Sequence, residues 1–201
     1  MAATHVAIVD CGGANIASLT NALQRLDVSS ELTTDARTIR AASHVILPGV
    51  GAAADAMQKI EDNDLSAVIT GLEQPVLGIC LGMQLLARSS AEDSAQCLGV
   101  IPDGVEKLQA SPQAPVPNMG WCRVEQTEPH ALFAGIDNGS YFYFVHSYAL
   151  ATSEYTVATA IHTTAFTAVF ARQNFYAAQF HPERSAAAGS QFLQNFIERT
   201  S

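Results

Sequence analysis

The stretch Pro75-Val76-Leu77-Gly78-Ile79-Cys80-Leu81-Gly82-Met83-Gln84 restricts what this chain can fold into more than any other. An apolar run reaches a cysteine held between two glycines and then turns helical, which specifies a buried strand, a sharp turn and a helix. In such a G-x-C-x-G elbow the central residue stands at the tip of a strained turn, and only glycine's missing Cβ lets the flanking backbone pass so close. The elbow exposes the sulfur of Cys80 and sets it by the first free N–H groups of the helix, which favour a thiolate. The Leu81 N–H is expected to point where an oxyanion would form. An isolated cysteine in an apolar run is more often a small buried hydrophobe. Gly78 and Gly82 argue for chemistry instead, because they forfeit packing and entropy unless the turn itself is needed.

The residues before the elbow supply a sheet around it. His5-Val6-Ala7-Ile8-Val9 is apolar and β-branched, as for a strand buried on both faces, and Asp10-Cys11-Gly12-Gly13-Ala14-Asn15 turns into a helix marked by Ile16, Leu19, Leu23 and Leu26. Those glycines do not fit G-x-G-x-x-G, so they read as a tight turn and not as a dinucleotide site. A second strand-helix unit is expected from Ser29 through Thr34 into Ala36 to Ala42. In the third, strand His44-Val45-Ile46-Leu47 leads into Pro48-Gly49-Val50-Gly51 and a helix from Ala52 to Ile60, with a further helix over Leu65 to Leu72. Strands alternating with helices specify a parallel doubly wound sheet. Ligands bind at the carboxyl ends of the strands in such sheets, where the Pro48 to Gly51 loop would present backbone N–H groups.

Beyond Gly99 the pattern changes. Prolines recur at Pro102, Pro112, Pro115 and Pro117, and Pro117-Asn118-Met119-Gly120-Trp121 reads as a loop presenting the chain's only tryptophan. Strand patterns then crowd together at Tyr141 to Val145, Thr156 to Ile161, Phe166 to Phe170 and Phe175 to Phe180, too close for crossover helices, so this half is expected to be antiparallel or mixed sheet. A last helix, Ala187 to Arg199, carries Phe192, Leu193, Phe196 and Ile197 on one face. The fold class expected is therefore α/β, a mostly parallel central sheet flanked by helices with added antiparallel strands. Neither repeat nor linker divides it, so residues 1–201 read as one domain.

Composition removes several function classes. With 201 residues, 48% of them hydrophobic, the chain can bury one sizeable core. A net charge of -9 with only 10 lysines and arginines opposes binding to nucleic acid or an anionic membrane. Cys11, Cys80, Cys97 and Cys122 are scattered without a C-x-x-C pair, which argues against a zinc site or a disulfide framework. The first residues lack a signal-peptide pattern and no apolar run is long enough to span a bilayer, so a cytoplasmic location with reduced thiols is expected.

A second chemical motif stands at the end of the Phe175 to Phe180 strand, as His181-Pro182-Glu183. Proline pushes the residue before it into extended geometry, so His181 and Glu183, two apart, are expected on the same side of the chain. The carboxylate would then hold one imidazole nitrogen while the other faces a nucleophile. Alone, a His-x-Glu pair is more often a surface ion pair. With a glycine-flanked cysteine at one strand end, His-Pro-Glu at another and the Pro-Gly-Val-Gly loop at a third, parallel strands converge nucleophile, base, orienting carboxylate and N–H donors. That set suits acyl transfer without a metal or cofactor.

Gly78-Ile79-Cys80-Leu81-Gly82-Met83-Gln84 and Phe180-His181-Pro182-Glu183 resemble the class I (triad) glutamine amidotransferases. Leu47-Pro48-Gly49-Val50-Gly51, Met119-Gly120-Trp121 and Tyr141-Phe142-Tyr143-Phe144-Val145-His146-Ser147-Tyr148 extend the resemblance, over essentially the whole chain, to the glutaminase subunits of imidazole glycerol phosphate synthases. The resemblance implies a Cys80 thiolate attacking glutamine's side-chain amide, with His181 as acid and base and Glu183 orienting it. It further implies oxyanion donors at Leu81 and Val50, and Gly51, Gln84, Ser147 and Tyr148 around the substrate. The partner implied is a cyclase of TIM-barrel fold, faced by Asn15, Trp121, Tyr143 and Arg184. Asn118 stands where that family usually has histidine, and Cys122 where asparagine is common. The alternatives are a glutaminase serving pyridoxal phosphate, anthranilate or guanylate synthesis, and a non-catalytic binding module of the same fold.

Overall fold

Strands that are apolar at every position need cover on both faces, and that requirement sets the architecture. The computed structural model describes residues 4–12, 15–49 and 51–200. Its first half follows the alternation: β1 (His5–Val9), α1 (Ile16–Gln24), β2 (Ser29–Thr33), α2 (Ala36–Ala41), β3 (His44–Leu47), α3 (Ala53–Asp62), α4 (Ser66–Thr70), β4 (Val76–Ile79) and α5 (Leu81–Leu85). Val6 and Ile8 of β1 enter one apolar cluster while Ala7 and Val9 enter the other, so the sheet lies between two cores.

The second half contributes β5 (Ser89–Ser90), β6 (Ala95–Gln96), β7 (Gly104–Lys107), β8 (Asn118–Gln126), β9 (Tyr141–His146), β10 (Tyr148–Leu150), β11 (Thr156–Ile161), β12 (Ala165–Arg172), β13 (Phe175–Ala178) and α6 (Ala186–Arg199). The main sheet runs β2-β1-β3-β4-β13-β12-β11-β8-β9. It is parallel from β2 to β13 and antiparallel from β13 to β9. A smaller sheet, β10-β7-β5-β6, stands beside it. Its strands of two to four residues carry too little pattern to be read from sequence. Phe142 stacks on Phe180 at 4.1 Å and Phe192 of α6 meets Phe180 edge-on at 5.1 Å, which clamps the last helix under β9.

Three expectations are corrected. The stretch from Pro117 to Trp121 is not a loop: Asn118 begins β8, whose residues alternate, with Asn118 buried and Met119 and Trp121 exposed. The last strand stops at Ala178, before the histidine. Pro182–Arg184 forms one 3-10 turn, so His181 and Glu183 meet through a turn and not through the same-face spacing of an extended chain. Proline suits both, because its fixed φ also fits the first position of a helical turn.

Candidate active site

The elbow forms where the glycines demand it. Cys80 has φ 52° and ψ −105°, a backbone region L residues seldom occupy and one that stores on the order of 1–3 kcal/mol. A Cβ on Gly78 would come within 2.7 Å of the Gly82 carbonyl oxygen, and a Cβ on Gly82 would overlap the Leu47 carbonyl. The close return of α5 onto β3 and β4 thus depends on both glycines. Cys80 N–H donates to the Ala178 carbonyl at 2.8 Å, which sets the elbow beside the end of β13.

His181 follows that strand end. Its Nδ1 lies 2.8 Å from Glu183 Oε1, and both side chains are 3% exposed. Backbone contacts fix the segment: His181 N–H donates to Tyr143 O, and the Ser185 hydroxyl donates to His181 O at 2.7 Å while accepting from Tyr143 N–H at 2.9 Å. His181 Nε2 is buried and has no hydrogen-bond partner among the described residues. Burial alone would lower the imidazole pKa. The Cys80 sulfur and the Glu183 carboxylate beside it outweigh burial and push it up to about 10. His181 is therefore held in its protonated form beside the sulfur.

The sulfur floors a cleft of about 330 Å³ lined by Gly51, Cys80, Leu81, Gln84, Glu92, Val145, His146, Ser147 and Tyr148 among others. Gly51, Gln84, Ser147 and Tyr148, named from sequence, thus surround Cys80. Glu92 was not foreseen, since it sits in a short turn with no pattern around it. Its Oε2 accepts from the Ala53 N–H at 3.0 Å, capping α3, whose own N-cap residue Ala52 supplies no side-chain bond. Behind the cleft, Gln84 Nε2 donates to the Tyr148 carbonyl at 3.0 Å and to Gln179 Oε1 at 3.2 Å. The signal for Gln179 was a lone polar residue in an apolar strand pattern.

Leu81 N–H is not free: it donates to the Gly49 carbonyl at 3.4 Å. Val50, the other expected oxyanion donor, lies outside the described residues. Asn15, expected to face a partner, turns its amide inward and donates to Glu183 Oε1 at 2.7 Å. It does so from a left-handed backbone at φ 77°. Trp121, Tyr143 and Arg184 are contiguous, with Trp121 edge-on to Tyr143 at 6.0 Å and the Arg184 guanidinium 4.9 Å over the Tyr143 ring. Trp121 is 52% exposed and Met119 64%.

The two departures from the family pattern touch one another. Cys122 Sγ lies 3.5 Å from Asn118 Oδ1, and Asn118 Nδ2 lies 3.1 Å from His146 Nε2. His146 Nδ1 faces the Tyr148 carbonyl at 2.9 Å, so Nδ1 carries the proton and Nε2 accepts. Burial pushes the His146 pKa down to about 4, holding the ring neutral.

A model of the class-I glutamine amidotransferase family matches residues 7–200. The chain is 48% identical over 196 residues to a Legionella pneumophila (strain Lens) protein named imidazole glycerol phosphate synthase subunit HisH 2, with 98% of each chain covered. It is 47% identical over 194 residues to the subunit HisH of Pectobacterium atrosepticum, across 96% of this chain and 98% of that one. Among solved structures, a glutamine amidotransferase from Thermotoga maritima has the same fold, with TM-score 0.66 and 18% identity over 96% of this chain and 82% of the other.

Proposed function

The chain belongs to the class-I glutamine amidotransferases and is the glutaminase subunit of an imidazole glycerol phosphate synthase, and from that premise we propose that Cys80, His181 and Glu183 are its catalytic triad. The observation that carries the assignment is the His181–Glu183 contact of 2.8 Å, buried beside the elbow cysteine on the floor of the cleft.

Glutamine enters the cleft with its side-chain amide at the sulfur. Gln84, Ser147, Tyr148 and Gly51 bound it, and Glu92, the acidic side chain on the wall, pairs with the α-ammonium group. The Cys80 thiolate attacks the amide carbon, and the carbonyl oxygen takes the charge. Imidazolium His181 protonates the leaving nitrogen, ammonia departs and a glutamyl thioester remains. His181, now neutral, takes a proton from water as the water attacks the thioester, and glutamate leaves. Glu183 keeps Nδ1 protonated and the ring oriented, so Nε2 does the transfers at both stages.

The ammonia passes to a cyclase subunit, with which this chain forms a one-to-one heterodimer in the cytoplasm. There the ammonia is used to make imidazole glycerol phosphate and aminoimidazole carboxamide ribonucleotide for histidine biosynthesis. The face of exposed Met119, Trp121 and Arg184 around half-buried Tyr143 supports a docking role, since an exposed aromatic beside an arginine suits a protein partner. No cofactor takes part in the hydrolysis. The test is glutamine hydrolysis by the chain with its cyclase, alongside synthesis driven by free ammonia. Loss of the first and survival of the second in Cys80→Ala is expected; continued hydrolysis would refute the assignment.

A further inference from the structure

Gln179 is completely buried, belongs to no role assigned above, and places its Nε2 3.6 Å from the Cys80 sulfur. An amide can face a sulfur with its nitrogen or its oxygen, and the two have opposite consequences, so the direction must be fixed by what the other end touches. It is fixed by the Tyr148 carbonyl. A backbone carbonyl only accepts, so Gln84, 3.0 Å away, must present its nitrogen there. That same nitrogen reaches Gln179 at 3.2 Å, so the atom it meets must be an acceptor, the Gln179 oxygen. The Gln179 nitrogen is left pointing at Cys80. The backbone holds it there as well: Gln179 N–H donates to Ala168 O at 2.9 Å, and Cys80 N–H donates to the neighbouring Ala178 O at 2.8 Å.

We infer that Gln179 is a catalytic residue that donates a hydrogen bond to the Cys80 sulfur and stabilises its thiolate, a role that rests on the reading of Cys80 as nucleophile. The second contact of the sulfur supports this. Val145 O, 3.7 Å away, accepts from the thiol and can offer nothing to a thiolate. When the S–H proton moves to His181 Nε2, leaving the electron pair on sulfur, the Val145 contact becomes repulsive. The Gln179 N–H contact becomes charge-assisted. In a site closed to water on this side, no solvent molecule substitutes for it.

The test is the pH dependence of Cys80 alkylation by iodoacetamide in the full-length chain, followed by mass spectrometry of the Cys80 peptide. The reaction needs neither glutamine nor cyclase, so its outcome is separate from that of the glutaminase assignment. Other ionisable groups around the sulfur are His181, with Glu183 behind it, and Glu92, His146 and Tyr148 along the cleft, all unchanged in the variants. Gln179→Met is expected to raise the titration midpoint by about 1–2 pH units and slow alkylation at neutral pH roughly 10- to 100-fold. Gln179→Glu keeps an acceptor for Gln84 and sets a second anion on the sulfur, so its shift should be larger. Gln179→Asn keeps the amide but withdraws it by one methylene, and should behave like Gln179→Met. Gln84→Met supplies the contrast, with a raised KM for glutamine and a much smaller midpoint shift. If the Gln179 variants titrate and alkylate like the unmodified chain, Gln179 does not stabilise the thiolate and the inference is overturned.

Discussion

Asn15 and Glu183, 168 positions apart in sequence, are joined by a hydrogen bond of 2.7 Å that ends on the same carboxylate oxygen His181 uses. The start of α1 thereby helps to set the orientation of the proposed base. Asn15→Ala is expected to lower kcat roughly tenfold with little change in KM, since a bond to a charged group is lost on the side remote from the cleft. Asn15→Asp should lose more at neutral pH and recover partly on acidification, because two carboxylates at this distance cannot both stay ionised cheaply. Steady-state rates across pH decide it. Equal activity of Asn15→Asp and the unmodified chain at neutral pH would remove Asn15 from the site.

The triad itself predicts an order of effects. Glu183→Gln should fold and lower turnover less than His181→Ala, since the base survives with its tautomer unfixed. If His181→Ala kept most of its activity across neutral pH, the triad would have to be abandoned.

Selective chemistry at one thiol is the third expectation. Burial pushes Cys11 and Cys97 up to about 11 and raises Cys122, so these remain thiols at neutral pH. A glutamine-analogue electrophile should therefore label Cys80 alone, and peptide mapping that places the label on another cysteine would count against the assignment.

Acid stability follows from His146. Its folded pKa, lowered from 6.5 to about 4, lies below that of the unfolded chain, so the unfolded state binds the proton more readily. The stabilisation is complete above pH 6.5 and is lost as pH falls through 6.5 toward 4. The loss from this group amounts to roughly 3 kcal/mol at most. His44 and His130, also lowered by burial, act in the same direction. Denaturation midpoints measured down this range should fall steeply, and less so in His146→Gln. Identical acid limbs would show that the ring is not held neutral.

How much of this was legible follows from the range of each constraint. The elbow was readable because Gly78, Cys80 and Gly82 fall within five consecutive positions, although the carbonyl that Gly82 clears belongs to the distant Leu47. The His181–Glu183 pair was found with the wrong geometry, since proline before a glutamate fits an extended chain and a 3-10 turn alike. The start of β8 was hidden by Pro117 and Gly120, which outweighed the alternation of Asn118, Met119 and Trp121. Asn15 on Glu183, Gln179 on Cys80 and Asn118 on His146 depend on segments distant in sequence that the sheet brings together, which no local pattern encodes. The two unusual residues are linked: Cys122 bonds to Asn118, and Asn118 in turn bonds to His146.

The final expectation concerns control of the glutaminase. Hydrolysis without a waiting acceptor loses ammonia to water, where it protonates and ceases to be a nucleophile. The structure holds one expected oxyanion donor in use, since Leu81 N–H is bonded to Gly49 O at 3.4 Å. Such a long bond is cheap to break. Rotating the Gly49 carbonyl away would free the Leu81 N–H for the oxyanion, and partner contact is the proposed trigger. A missing oxyanion donor typically costs about 100- to 1,000-fold in rate, which sets the size of the activation expected from cyclase and its nucleotide. A β-branched residue at Gly49 is a poor probe, because its Cβ would come within 2.6 Å of Leu81 Cβ and disturb the elbow itself. Gly51 is the better one: nothing lies within 4 Å of a Cβ there, and its φ of +123° penalises any L residue. Gly51→Ala should therefore strain the resting loop, raise the rate of the isolated chain severalfold and shrink the activation ratio. Trp121→Ala should shrink that ratio from the other side, by weakening the docked face. Glutaminase rates of the isolated chain, with and without cyclase and nucleotide, decide the matter: if they are equal, the loop is not a switch.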